Sequence, residues 1–245
     1  MTTIATPIPL PTQPARPLGK GRAAAITVGT ILLPLVAYLL FSTIYITAWY
    51  AATHHQGQPP ARVIVHSMFI ALPPGYLLTL LILWLTQRRF GTFAEIFNTH
   101  SRSPLIEIAV GIALGAAWIA FYGSGVVPFE DMFVLNKEKL LSMPASLSAG
   151  FGEELFFRGF LLFILTRARA SNTTKIIVSA IAFGVAHMLW GPVAMFWTMV
   201  LGATLAGVTV WRRSVWAAII AHTLLDLCIE PALFYNAMQH ASQRH

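Results

Sequence analysis

The chain has 245 residues, 56% of them hydrophobic and only 10% charged, against about 25% charged in an ordinary soluble domain. That balance excludes a soluble globular protein. The formal net charge of +7 is scattered over short segments between apolar runs, which excludes the basic, aromatic face that reads nucleic acid, and a lone Cys228 excludes an internal disulfide or a cysteine-based metal cluster.

The first 22 residues hold Pro7, Pro9, Pro11, Pro14 and Pro17 and read as a flexible cytoplasmic tail, because closely spaced prolines prevent a continuous helix. The apolar run that follows, to about Ala52, exceeds the roughly 7–15-residue core of a secretory signal and reads as a retained anchor. Crossing the hydrocarbon core takes about 20 apolar residues. Seven stretches approach that length: 24–51, 63–86, 105–127, 144–166, 176–191, 193–211 and 215–236. The expected fold is all-α, a polytopic membrane protein of about seven transmembrane helices in contact with the lipid bilayer. Between the second and third spans, Phe90, Phe93, Ile96 and Phe97 beside Arg88 and Arg89 suit either a short amphipathic helix on the membrane surface or a plain connector. Gly111 with Gly115, and Gly202 with Ala206, are spaced for close helix packing. Ser124, between Gly123 and Gly125, reads as a turn residue, and Gly191-Pro192 predicts a tight hairpin between the fifth and sixth spans.

Positive charge accumulates in cytoplasmic loops. Arg16, Lys20 and Arg22, then Arg88, Arg89 and Arg102, then Arg167, Arg169 and Lys175, then Arg212 and Arg213 lie on one side, eleven in all. The alternate segments hold four: Arg62, Lys137, Lys139 and Arg244. This predicts a cytoplasmic N-terminus and an outer C-terminus for a multi-pass protein, expected in the plasma membrane of a prokaryote.

Ionisable residues inside a span cost at least about 2.5–3.5 kcal/mol each on insertion scales. The fourth span nevertheless carries Glu153, Glu154 and Arg158, the fifth His187, and the seventh His222 and Asp226. Glu154 and Arg158 are four residues apart with the acid first, the better orientation for a helical ion pair. Glu153 is rotated by about 100° and points elsewhere. His222 and Asp226 share a face in the same way. At about 1.5 Å of rise per residue, Glu153, His187 and His222 lie roughly 21, 18 and 14 Å from the nearest cytoplasmic basic residue, in one middle layer. Six such groups at one depth indicate a functional site. His66 reads as an interhelical hydrogen-bond partner, Glu107 as structural or interfacial, and Glu230, before Pro231, as reaching water.

The three elements Glu153-Glu154-x-x-x-Arg158, Phe183-x-x-x-His187 and His222-x-x-x-Asp226 resemble, in order and rough spacing, the motifs of the CPBP (CAAX protease and bacteriocin-processing, or Abi) family of intramembrane proteases. The resemblance covers about residues 104–230. The chain then divides into the tail 1–22, two N-terminal helices with a surface loop over 23–103, the membrane domain 104–236 that the resemblance implies is catalytic, with the site inside the bundle, and a C-terminal tail over 237–245. The resemblance further implies that Glu153 and His187 activate the attacking water, that His222 and residue 226 stabilise the oxyanion, and that Glu154 and Arg158 support the site, with Phe183 beside them. The implied substrate is a membrane-associated protein or peptide, such as a prenylated CAAX protein. The family has been described both as zinc enzymes and as metal-free glutamate proteases.

The residues themselves allow both. Peptide hydrolysis needs a base for water, a donor to the oxyanion and an acid for the leaving amine, and this set provides all three. Glu153, His187 and His222 would also make a two-histidine, one-carboxylate zinc site. With Glu153, Glu154 and Asp226 ionised against Arg158, the site carries −2, which invites a divalent cation, protonated histidines or a protonated acid. An ionised Asp226 would repel an oxyanion, and holding His222 is its alternative role. Other readings are a non-proteolytic binding or immunity protein of the same shape, an ion or proton transporter, and a haem held between His187 and His222. The chain lacks the His-Glu-x-x-His and Gly-x-Gly-Asp signatures of other intramembrane proteases.

Overall fold

The computed structural model describes residues 18–242 apart from 55–56, 102, 124, 126 and 134–136, and among the side chains outside the description are all those from 230 onward. Helices α1 (Lys20–Thr53) and α2 (Ala61–Gln87) are followed by a short 3-10 turn, Arg88–Phe90, and a one-turn α3 (Phe93–Ile96). Then come α4 (Pro104–Gly123), α5 (Phe129–Phe133) and α6 (Lys137–Glu154), a π-helical turn over Leu155–Phe160, and α7 (Leu161–Arg167). The chain continues through α8 (Asn172–Ala186), a 3-10 turn over Met188–Trp190, α9 (Pro192–Arg212) and α10 (Trp216–Ser242). Ser124 and the side chain of Glu230 lie outside the described residues, as does the expected tail up to residue 17.

Among the described residues, four stretches are helices long and apolar enough to cross a membrane: Lys20–Thr53, Phe69–Phe90, Pro104–Tyr122 and Pro192–Arg212. Asn172–Ala186 and Trp216–Ile229 are shorter apolar helices. The chain is an all-α integral membrane protein, and its surface shows why. Val36, Leu77, Leu105 and Val193 are all at least 60% exposed, while Glu154, Arg158, Ser146 and Ser179 are fully buried. Lipid solvates an apolar exterior, and polar groups find partners only inside.

α6 packs against α2 on one side and α10 on the other, α10 packs against α4, and α8 pairs with α9. Glycines set these distances. A Cβ on Gly111 would stand 2.7 Å from Ile220 Cβ, and one on Gly115 3.1 Å from the Ala221 carbonyl, so the two glycines let α4 lie against α10. Gly150 does the same between α6 and α10, where a Cβ would meet the Thr223 backbone at 2.6 Å.

Three expectations change. The fourth span does not begin at 144 as an unbroken helix: α6 starts at Lys137, carries Pro144 within it, and passes into the π turn directly after Glu154. The segment between α2 and α4, which suited either a surface helix or a connector, is drawn partly into the bundle, with Phe93 still 43% exposed. A capping box ties Thr92 to Glu95 and starts α3, and the apolar residues Ile96 and Phe97 then turn inward and are fully buried, Phe97 6.1 Å from the Phe160 ring. A Cβ on Gly159 would stand 2.5 Å from the Phe97 carbonyl, so the segment plugs the bundle beside the π turn. The fifth span ends early, at Ala186, and His187 is its C-cap rather than an internal residue. The 3-10 turn that follows reaches Gly191 at φ 96, a conformation glycine adopts freely, and Pro192 opens α9.

Candidate active site

All seven residues singled out in the sequence come together. The π turn is the local device: the Leu161 N–H donates to the Phe156 carbonyl, one residue further back than in an α-helix, which widens the turn just after the two acids. Such bulges recur at functional sites. Leu155, Phe156 and Phe160 anchor it in the core, and the Ser179 hydroxyl of α8 donates to the Phe157 carbonyl at 2.9 Å.

Glu154 is the hub of the buried half. Its Oε1 accepts from Arg158 Nη1 at 2.8 Å and lies 2.8 Å from His222 Nδ1. Arg158 is fully buried, donates through Nη2 to the Gly202 carbonyl at 3.2 Å, and sits with Cζ 4.2 Å from the Phe183 ring centre. Gly202, spaced in the sequence for close packing, thus brings α9 near enough for its backbone to meet the guanidinium. Phe183 does more than fill space, since its ring lies 5.6 Å from His222 and 4.7 Å from His187. It packs against both imidazoles and faces the cation.

The open half centres on Glu153. Its Oε2 is 3.9 Å from His187 Nε2 and 3.9 Å from His222 Nε2. His187 Nδ1 lies 2.9 Å from the Phe183 carbonyl, which can only accept, so Nδ1 carries a hydrogen and Nε2 is the nitrogen turned toward Glu153. His222 is held from both ends: Nδ1 faces Glu154, and Nε2 is 3.4 Å from Asp226 Oδ1. Carboxylate oxygens therefore surround both of its nitrogens, a setting that calls for protons, a water or a cation. The side chains of His187 and Glu153 remain 23% and 14% exposed, whereas His222 is 5% exposed, so the site opens at His187.

One participant was not found from sequence. Tyr76, on α2, donates its hydroxyl to Glu153 Oε1 at 2.5 Å. Glu153, expected to point away from its neighbour, does so, toward α2 as well as toward the histidines. The available signal was the pair of a mid-span tyrosine in Pro73-Pro74-Gly75-Tyr76 and a glycine, Gly152, directly before the acid. Glu107, read as structural or interfacial, forms an ion pair with Arg212 at 3.1 Å away from the site.

Glu153, His187 and His222 suit zinc in donor type: a carbonyl and a carboxylate hold the two Nδ1 atoms, the usual arrangement of metal-ligating histidines, and both Nε2 atoms face Glu153, that of His222 with Asp226 also 3.4 Å away. Bonds of about 2.0–2.2 Å around a tetrahedral ion put ligand atoms roughly 3.3 Å apart, and the 3.9 Å separations stand somewhat wider. Among the described residues, no group of three or more His, Cys, Asp or Glu is drawn in to metal-binding geometry.

Residues 136–228 match the family model described as Type II CAAX prenyl endopeptidase Rce1-like. The match begins just ahead of α6 and ends two residues beyond Asp226, and so contains every residue of the site except Tyr76. No curated protein and no solved structure matches the chain.

Proposed function

We propose that the chain, whose residues 136–228 match the Rce1-like model of type II CAAX prenyl endopeptidases, is an intramembrane endopeptidase that cuts a peptide bond of a membrane-associated protein or peptide, with a prenylated CAAX-type C-terminus as the substrate class. The supporting observation is the convergence of two histidine Nε2 atoms on a single oxygen of Glu153, each at 3.9 Å. A water placed about 2.8 Å from both Glu153 Oε2 and His187 Nε2 fits that gap.

Glu153 takes a proton from this water as its oxygen attacks the scissile carbonyl. His222, whose two nitrogens both face carboxylates, satisfies them as the imidazolium, and its Nε2–H turns from Asp226 toward the oxyanion as charge develops. Asp226 orients His222 rather than meeting the oxyanion itself, which two negative groups would oppose. Arg158 and the imidazolium then balance two of the three carboxylates, leaving Glu153 as the one that gains a proton. Collapse of the tetrahedral intermediate expels the amine, which takes that proton from Glu153, so atoms and charge balance. A zinc held by Glu153, His187 and His222 would supply Lewis-acid polarisation of the water or carbonyl at the same place.

The test is cleavage of a farnesylated CAAX peptide by purified protein in proteoliposomes, with the unprenylated peptide beside it. Glu153→Gln is expected to lower the rate by about 100-fold or more, the usual scale for losing a general base. A wild-type rate no higher than that of E153Q removes the proteolytic reading.

A further inference from the structure

Helices α1 and α2 lie outside the family-matching segment, yet α2 reaches the centre of the site. Pro73 and Pro74 take two N–H donors out of the middle of α2, and Gly75 follows, where a Cβ would sit 3.4 Å from the Tyr38 backbone of α1. α1 therefore backs directly onto α2 at the level of Tyr76. On the opposite side, Gly152 makes a seat for the phenol ring: a Cβ there would stand 2.7 Å from Tyr76 Cγ. The Phe156 ring, 5.5 Å away in the π turn, closes the seat, and Tyr76 is buried. The ring is thus held between Gly152 and the Phe156 ring. Its hydroxyl meets Glu153 Oε1 at 2.5 Å, the length of a charge-assisted O–H···O bond.

We propose that Tyr76 is a positioning residue of the active site. By occupying Oε1 it stops the Glu153 carboxylate from rotating and leaves Oε2 as the oxygen presented to His187, His222 and the water. The two N-terminal helices are then part of the enzyme rather than an added anchor, because the family segment holds the base but not the group that aims it. This rests on the hydrolytic role of Glu153 proposed above.

The experiment compares wild type, Tyr76→Phe, Tyr76→Leu and E153Q in the farnesylated-peptide assay, with thermal unfolding in detergent run in parallel. Y76F keeps the ring in its seat and removes only the donor. Its kcat is expected to fall by about 10- to 100-fold, the scale of a hydrogen bond to a charged group, with KM within about twofold and a melting temperature near wild type, since a positioning loss acts on the chemical step. Y76L removes the ring as well and is expected to lose stability in addition. The hydrogen bond has its own readout: E153Q shifts the infrared C–O(H) band of tyrosine that disappears in Y76F. An active wild type with Y76F at full kcat, or with only KM changed, overturns this assignment alone. A tyrosine band indifferent to E153Q also overturns it. A wild type no more active than E153Q removes the proteolytic reading and the positioning role together.

Discussion

Replacing Arg158 by methionine removes a buried cation and leaves Glu154 behind, and the structure specifies the cost. Both side chains are fully buried, 2.8 Å apart, and breaking a buried pair by deleting one partner costs about 3–5 kcal/mol. Arg158→Met also gives up the bond to the Gly202 carbonyl and the position over the Phe183 ring. Glu154→Gln in the Arg158→Met background removes the carboxylate left with only His222 as partner, so the double variant should be less destabilised than the two single costs added together, by about 1–2 kcal/mol. Non-contacting sites usually add within about 0.3–0.5 kcal/mol, which makes the coupling measurable. The assay is equilibrium unfolding in detergent micelles for wild type, R158M, E154Q and the double variant. Strict additivity, or an R158M protein as stable as wild type, would refute the reasoning that this pair is locked together in the core. Peptide cleavage in the same four proteins separates stability from function: E154Q removes the charged acceptor at His222 Nδ1, so its activity should fall even where the protein remains folded.

Two further changes test packing. Gly111→Val places its side chain against Ile220 and the Ala217 carbonyl, where even a Cβ would stand 2.7 and 2.9 Å away, and should destabilise by about 1–3 kcal/mol as overpacking does; Gly207→Ala, with nothing within 4 Å, is the matched control and should stay near wild type in the same unfolding assay. Gly159→Ala pushes on the Phe97 carbonyl at 2.5 Å and should loosen the plug of Ile96 and Phe97, read as faster proteolytic nicking between α2 and α4. Elemental analysis of purified wild type beside His187→Ala checks the donor set: zinc carried by the wild type should be lost in the variant, and zinc retained there would place the metal elsewhere.

Local periodicity made half of the site legible. Glu154 with Arg158, and His222 with Asp226, are four residues apart, and a helix alone brings such pairs onto one face. The comparison of depths along three spans also anticipated that Glu153, His187 and His222 would meet. Tyr76 was invisible to the same reasoning because its contact with Glu153 crosses 77 residues and depends on how α2 leans on α6. The plug escaped for a related reason. Phe90, Phe93, Ile96 and Phe97 have a spacing that suits a membrane surface equally well, and only the space left beside Gly159 decides that Ile96 and Phe97 turn inward. The π turn, Leu155–Phe160, begins directly after Glu154 in a stretch with no proline and with Gly159 as its single glycine.

Composition and hydrophobic run length, by themselves, determined an all-α membrane protein, because a bilayer demands long apolar helices whatever they pack against. Helical spacing determined which ionisable side chains pair within one element. Tertiary structure alone decided that Glu154 rather than Asp226 holds His222 Nδ1, that Phe183 packs against both imidazoles, and that a tyrosine from α2 meets the acid proposed as the base. Those contacts join different helices, and their distances are set by glycines at the crossings and by the widened turn after Glu154, which act only once the helices have packed.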